Sequence, residues 1–329
     1  MKILIDTLVM TWKYDNIYNI IEQLGLIAID WQPLKLKRYD GGQYFDGVVI
    51  GWNYGSMVEI TDTYLEISGK GCRTIETMNR ETNFDWFKIL NTYHEDIWNR
   101  QAHIARIDVA CDLEDGSITF KRLWRYTYNR MFICRSKVDP ELTCMRQEKI
   151  YFGSEQSDRF LRIYNKALQM GIPDTDWMRF EFQLRNDNAT SFYLNWEQRR
   201  NICEVYAGML IDYLRFVDIP RGWTKKEFLE AKENRNQGRF KTSKWWQDFV
   251  GEAERIQQLY LPGEEYTIER AERYLEKNCA STMRTFMIAH DNSPQALEEK
   301  YKHAKLNNKQ KQLLSKLGKT VPKDYEYEE

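Results

Sequence analysis

A chain of 329 residues, 42% of them hydrophobic, has room for one large domain or two ordinary ones and can bury a real core. With 48 basic against 49 acidic side chains the formal charge is -1, a balance that argues against nucleic-acid binding unless the basic residues cluster locally. No apolar run approaches the length of a membrane span, and the N-terminus lacks the basic, apolar and small-residue order of a signal peptide, with Asp6 interrupting its first apolar stretch. A cytoplasmic protein with no membrane association is expected.

Residues 2–11 read as a strand, and residues 15–24 as a helix capped by Asp15 and ended by Gly25; several hairpins follow up to Arg73. Residues 83–98 read as a helix leading into Arg106-Ile107-Asp108-Val109-Ala110-Cys111-Asp112. Period-two alternation puts Asp108 and Asp112 on one face of that strand and Ile107, Val109 and Cys111 on the core face. After the Gly116-Ser117 break a helix over 120–130 is expected. It opens a basic stretch, Lys121, Arg122, Arg125, Arg130, Arg135, Lys137, Arg146 and Lys149, interleaved with Trp124, Tyr126, Tyr128 and Phe132. Such a segment supplies the local clustering that the net charge hides: cations track a backbone and aromatic faces stack unpaired bases. For any single aromatic there, the core of an amphipathic helix is the commoner use.

A hairpin over 148–166, turning through residues 153–158, ends in Arg162-Ile163-Tyr164-Asn165-Lys166. Continuous strand would place Phe160, Arg162, Tyr164 and Lys166 on one face, a phenol between two cations. A tyrosine so placed can attack a phosphodiester, and flanking cations favour the phenolate of a group whose ordinary pKa is about 10. The strand over 179–185 then carries Arg179, Glu181, Gln183 and Arg185 opposite Phe180, Phe182 and Leu184. An ordinary half-buried sheet explains the apolar faces. It does not explain three polar faces that together hold the parts for metal-assisted phosphoryl transfer: hard oxygen ligands for Mg²⁺ or Mn²⁺ and a hydroxyl to attack.

Residues 188–216 read as helical, with Asn188 or Thr190 near the cap, and Pro220-Arg221-Gly222 punctuates the chain. Beyond it helices are expected over 225–234, 244–259, 267–278 and 293–306, with Trp245 and Trp246 anchoring a core of that lobe. Lysines from Lys300 to Lys319 form a basic stretch whose default use is a solvated helix face and whose second is contact with duplex DNA. The fold class expected is α+β: a largely antiparallel, open sheet with helices packed on it over residues 1–219, then a mainly helical lobe over 223–329 serving duplex recognition or oligomerisation. The six cysteines show no CxxC pair and fit reduced thiols, and the four histidines form no His-hydrophobic-His pair, so any metal would rest on carboxylates.

The ordered series RIDVACD, IYFGSEQSDRFLRIYNK and WMRFEFQLR, preceded by LEISGKGCR, resembles the Rep_trans family of rolling-circle replication initiators, which includes relaxases of conjugative elements. The resemblance spans about the first two thirds of the chain. It implies a DNA nickase and strand transferase that joins a tyrosine to the 5′ phosphate of origin DNA, and it points to Tyr164, with Tyr151 as the fallback. Arg162 and Lys166 would stabilise the phosphoryl charge, and Asp108, Asp112 and Glu181 would hold one Mg²⁺ or Mn²⁺, with Asp6 and Glu148 as alternative ligands. A host helicase and a homodimeric assembly are implied by the family alone. The chain opens directly on its first strand, which favours a compact replication initiator over the longer relaxases. Two rivals stand beside this reading. A carboxylate-bearing sheet also serves polymerases and primases, though no phosphate-binding lysine motif or glycine-rich loop supports triphosphate use; the other rival is a DNA-binding regulator with no chemistry.

Overall fold

The alternating segments pair into one open sheet of ten strands, and every neighbouring pair in it is antiparallel. The strands are β1 (Lys2–Trp12), β2 (Gln32–Pro33), β3 (Gly41–Phe45), β4 (Val48–Tyr54), β5 (Ile60–Ile67), β6 (Ala102–Leu113), β8 (Glu141–Thr143), β9 (Lys149–Phe152), β10 (Arg159–Asn165) and β11 (Met178–Arg185), in the spatial order β2-β3-β4-β5-β1-β6-β11-β10-β9-β8. β7 (Phe132–Cys134) and β12 (Leu214–Phe216) form a separate two-stranded ribbon. The computed structural model describes residues 2–82, 84–144, 148–233, 240–251, 268, 271–272, 275–302, 304, 306 and 308–320. It comprises two compact units, Met1–Leu261 and Pro262–Glu329.

The expected α+β architecture with a largely antiparallel, open sheet is what the first unit shows. The apolar sides of β6, β10 and β11, with Ile107, Val109, Cys111, Leu161, Ile163, Phe180 and Phe182, lie in the main core. Two helices, α7 (Asn186–Arg199) and α8 (Ile202–Tyr213), pack there; the Tyr206 and Tyr213 rings meet Phe182 edge-on, and the buried Tyr206 hydroxyl donates to the Phe180 carbonyl at 2.8 Å. That bond is required of a phenol with no water to serve it.

Several boundaries differ from the expected ones for local reasons. The helix read over 83–98 is two, α3 (Trp86–Thr92), capped by Asp85, and α4 (His94–Trp98), and Asn83 lies outside the described residues. In α1 (Ile17–Gln23) the N-cap is Asn16, while Asp15 accepts from the Ile17 amide at 3.2 Å; Gly25 follows at φ +68°. The helix read over 188–216 begins earlier, breaks at Arg200 in the left-handed conformation, and gives up Leu214–Phe216 to the ribbon with β7. Asn188 and Thr190 are buried inside α7 rather than at its cap.

Helices α9 (Lys225–Glu233) and α10 (Lys244–Val250) belong to the first unit. Trp246 is fully buried against Phe180 and Phe216, and Trp245 packs on Tyr126 and Phe216, so these tryptophans complete the core of the sheet. The unit boundary at Leu261 and Pro262 thus lies past Pro220-Arg221-Gly222. Of the helix expected over 244–259, residues 252–259 fall outside the described set, as do most of 260–274. The second unit is helical where described: a π turn at Leu275–Cys279, then helices Ala280–Ala289, Pro294–Tyr301 and Asn308–Lys316. No described helix is long and apolar enough to cross a membrane.

Candidate active site

Register across the centre of the sheet brings the three polar faces together. Asp112 lies opposite Arg179 and Asp108 opposite Gln183 between β6 and β11; Arg162 lies opposite Glu181 and Tyr164 opposite Arg179 between β11 and β10. The resulting face is not wet. Asp108, Asp112, Arg179, Glu181 and Gln183 are all buried, and Tyr164 is only 8% exposed. Buried charges persist when paired and hydrogen-bonded, and here three arginines, Arg106, Arg162 and Arg179, do the pairing.

The Tyr164 hydroxyl donates to Glu181 Oε2 at 2.7 Å, and the other oxygen of Glu181 takes a short bond from Arg162. Arg162 Nη2 also reaches Asp108 Oδ2 at 3.0 Å, and Arg106 already donates to the same carboxylate, from Nε to Oδ1 at 2.8 Å and from Nη2 to Oδ2 at 2.5 Å. Beside this cluster, Arg179 grips Asp112 with two bonds of 2.7 and 2.8 Å and sends its third nitrogen to Asp6 at 3.2 Å. Asp6 belongs to β1 at a bulge: Ile5 pairs with Val109 and Thr7 with Asp108, so Asp6 has no opposite residue. The bulge also lets Ile5 and Leu8, three residues apart, both enter the core. The first turn of α2 (Gly69–Met78) closes over the same place, since a side chain at Gly69 would meet the Asp6 carboxylate and carbonyl at 3.2 Å. Ser68 caps that helix by accepting from the Gly71 amide, and this is the structural use of the LEISGKGCR segment.

Two expectations about the tyrosine change. Burial, followed by the charge of Glu181 and their hydrogen bond, pushes the Tyr164 phenol far above its ordinary pKa, the opposite of what flanking cations would do. The cations are spoken for, because Arg162 is drawn into the carboxylates. Lys166, expected on the strand, is instead the first residue of α6 (Lys166–Met170): Asn165 caps the helix by accepting from the Leu168 amide at 3.1 Å. Its ammonium still lies 5.9 Å from the Tyr164 ring centroid, donates to Gln169 at 2.8 Å, and is pushed down in pKa by burial and then by the charge of Arg179. Tyr151, on β9 opposite Arg162, packs on Phe160, and its hydroxyl has no hydrogen-bond partner among the described residues.

The carboxylates expected to share one ion share a face but not a point. Asp108 and Asp112 stand four residues apart on one strand, so their Cα atoms are about 13 Å apart, too far for both to ligate an ion at about 2.1 Å. Among the described residues no three His, Cys, Asp or Glu side chains are grouped to hold a metal. The one-ion set of Asp108, Asp112 and Glu181 is therefore corrected by geometry. The acids with spare lone pairs are the alternatives: Asp6, whose side chain is 25% exposed and accepts a single bond, and Glu148, which accepts from Asn165 at 2.8 Å. A carboxylate of that kind fits the usual mode of Mg²⁺, which takes one or two acids plus substrate phosphate oxygens rather than an all-protein cage. The organising roles of Arg106 and Arg179 escaped sequence reasoning, although alternation had placed Arg179 on the Glu181 face.

Comparison with known proteins decides the family. Residues 102–301 match the model of the replication initiation factor family, and residues 2–92 match the N-terminal domain of rolling-circle replication initiation proteins. The chain belongs to the family of rolling-circle replication initiators and relaxases. It is 24% identical over 332 residues to the putative DNA relaxase NicK of Bacillus subtilis (strain 168), covering 94% of this chain and 88% of that protein. The fold resembles that of the rolling-circle replication initiator protein from Geobacillus stearothermophilus, with a TM-score of 0.61 and 24% identity over 78% of this chain and 98% of that one.

Proposed function

We propose that this family member opens one strand of origin DNA by attack of Tyr164 on a phosphodiester, forming a 5′-phosphotyrosine and a free 3′-hydroxyl, and later rejoins ends by the reverse step. The observation that carries this reading is the 2.7 Å bond from the Tyr164 hydroxyl to Glu181 inside a frame of arginines. A phenol held neutral by its surroundings is a poor nucleophile until its proton leaves, and Glu181 Oε2 stands where that proton goes. As the O–H bond breaks, the phenolic oxygen forms a bond to phosphorus and the 3′ oxygen departs with the electron pair of the broken ester, taking a proton from water to become the 3′-hydroxyl. Protonated Glu181 no longer balances Arg162, so the guanidinium charge turns toward the phosphoryl group as that group becomes more anionic. The Lys166 ammonium beside the ring adds a second cation.

A divalent ion held by Asp6 and by the phosphate itself, Mg²⁺ or Mn²⁺, would withdraw charge from the non-bridging oxygens. Because the phosphotyrosine keeps the energy of the original ester, a later 3′-hydroxyl can displace the tyrosine without ATP. The similarity to a putative relaxase supports the same chemistry in the service of conjugative transfer as a second reading. A host helicase unwinding from the nick and a homodimeric assembly complete the proposal on family grounds. The lysine-rich part of the second unit is its proposed duplex-DNA contact.

The test is a covalent adduct. A labelled single-stranded oligonucleotide carrying the nick site should survive denaturing electrophoresis attached to protein, with mass spectrometry placing the nucleotide on Tyr164. Tyr164→Phe should lose the adduct while DNA binding stays nearly intact, and Tyr151→Phe should keep it. The reverse pattern moves the nucleophile to β9, and no adduct from the unaltered chain leaves the non-catalytic DNA-binding regulator.

A further inference from the structure

Helix α5 (Phe120–Tyr128) carries a stacked aromatic pair, of which Trp124 is partly buried against the main core and Tyr128 stands in the open. Its inner face buries Phe120, Leu123, Tyr126 and Thr127. On its outer side the Trp124 and Tyr128 rings stack nearly parallel, 4.7 Å apart with 10° between planes, and Tyr128 is 61% exposed. The Lys225 ammonium lies 6.0 Å from the Tyr128 centroid, and Arg125 and Lys121 are exposed on the same helix about one and two turns before Tyr128. Lys121, Arg125 and Tyr128 follow the i, i+4, i+7 spacing of a single helix stripe.

The inner end of this stripe lines a cavity at the end of the strand that carries the proposed nucleophile. Phe120 and Lys121 wall a cavity of about 230 Å³ together with Glu148, Asn165 and Trp177. Asn165 is the residue after Tyr164, and the indole N–H of Trp177 is buried with no acceptor among the described residues. The stripe from Lys121 to Tyr128 rises about 10 Å along the helix, the length of about three stacked nucleotides.

We infer that the outer face of α5 is a track for single-stranded DNA, on which bases stack against Trp124 and Tyr128 while Lys121, Arg125 and Lys225 follow the phosphates, leading the strand into or away from the cavity that Asn165 lines at the end of β10. The occupant is single-stranded rather than duplex because a ring stacks only on a base whose own face is free. Charge complementarity selects nucleic acid over an acidic or apolar peptide: the stripe presents aromatic planes flanked by cations, not a closed apolar groove. The direction of the track rests on the reading of Tyr164 as nucleophile; the stacking surface itself does not.

The experiment uses the full chain bearing Tyr164→Phe, so that binding is read without chemistry. Fluorescence anisotropy with dT12 and with a 12-mer of abasic residues separates base stacking from phosphate contact. Trp124→Ala and Tyr128→Ala are each expected to weaken dT12 about 5- to 150-fold and to leave the abasic strand within about twofold. Lys121→Ala and Lys225→Ala should weaken both strands and each lower the salt slope by about 0.7. Unchanged dT12 affinity in both aromatic variants, or an equal loss for dT12 and the abasic strand, overturns the proposal. Circular dichroism confirms that each variant is folded, and Tyr128→Phe, which keeps a stacking ring, should bind dT12 like the parent. An adduct that fails to form with Tyr164 leaves this result standing, since no step of it needs cleavage.

Discussion

Two arginines organise the polar face of the sheet, and they do so differently. Arg162 sits in a closed cluster: Asp108 takes three bonds from Arg106 and Arg162, and both oxygens of Glu181 are used, one by Arg162 and one by Tyr164. Arg179 sits in an open one, clamping the buried Asp112 from two sides and touching Asp6 with a single longer bond at a quarter-exposed bulge. The charges of both Asp6 and Glu181 act on Tyr164, so the clusters adjoin the same hydroxyl. The contrast separates two jobs that carboxylates on one sheet face are otherwise assumed to share. In the proposed mechanism the saturated acids hold geometry and accept a proton, while the unsaturated one has lone pairs left for an incoming ion.

Chelation should give the largest effect. EDTA is expected to stop nicking by orders of magnitude, with Mn²⁺ or Mg²⁺ restoring it, as measured by adduct formation on a single-stranded substrate. Full activity in chelator would remove the ion from the open cluster altogether.

Next in size is the proton acceptor. Glu181→Gln keeps the shape and the bond to the Tyr164 hydroxyl's neighbourhood but cannot take the proton, and the adduct rate should fall about 10²- to 10⁴-fold. The pH dependence adds a second signature. Burial, with Asp6 and Asp108 adding to it and Arg162 and the Tyr164 bond opposing, raises the Glu181 pKa above the usual 4.5. Activity needs the ionised form, so the rate should fall as pH drops through that raised value, giving an acid limb above pH 4.5 that Glu181→Gln abolishes. Stability runs the other way: the folded state holds this proton where the unfolded state has released it, so the contribution of Glu181 is fully present below the ordinary value and is lost as pH rises through the folded one. An acid limb that survives in Glu181→Gln would assign the proton to another group.

Much of this was legible in the residues. Alternation alone put Asp108, Asp112, Arg162, Tyr164, Arg179 and Glu181 on polar faces, because a period of two survives any strand order. The Tyr164–Glu181 bond was not legible, since it runs diagonally between strands and needs their register: Tyr164 faces Arg179 and Arg162 faces Glu181. The placement of Lys166 is carried by a local signal. Asn165 capping a short helix that ends at Gly171, φ +74°, is written in the residues Asn165 to Gly171, and it stops the strand before the lysine. Leu214–Phe216 continue the apolar run of α8 and leave it only because β7 pairs with them, a long-range fact no local pattern carries. Likewise Pro220-Arg221-Gly222 marks a turn, while Trp246 returns to pack on Phe180 from beyond it.

The closed cluster should answer to substitution mainly through stability. Asp108→Asn removes the anion between Arg106 and Arg162 and leaves two guanidinium groups facing a neutral amide, at a position whose side chain is 1% exposed. Losing one partner of a buried pair typically costs about 3–5 kcal/mol, and partial exposure of both arginines places this case at the lower end, about 3 kcal/mol. Urea unfolding should show it as a lower midpoint with unchanged slope. A midpoint like that of the parent would mean that Asp108 is not what holds Arg162 in place.

The open cluster should show the smallest effect on stability and the most selective one on function. Asp6→Asn gives up one 3.2 Å bond to an arginine that keeps both of its bonds to Asp112, and the group lost is partly in water, so less than about 1 kcal/mol of stability should go. The bulge and the closeness of Gly69 hold the side chain's position, so the amide occupies the same place without the charge. What changes is the affinity for a hard cation, which an amide oxygen binds more weakly than a carboxylate does. The Mn²⁺ concentration that half-restores nicking should therefore rise about tenfold or more in Asp6→Asn at nearly parental stability, whereas Asp108→Asn, measured at a temperature where it stays folded, should leave that concentration within about twofold. If the two variants exchange behaviours, the ion enters through the Arg162 cluster and Asp6 serves only to anchor Arg179. If both shift the metal requirement equally, the division between a closed and an open cluster does not describe how the face works, and the DNA phosphate must rearrange both arginines on binding.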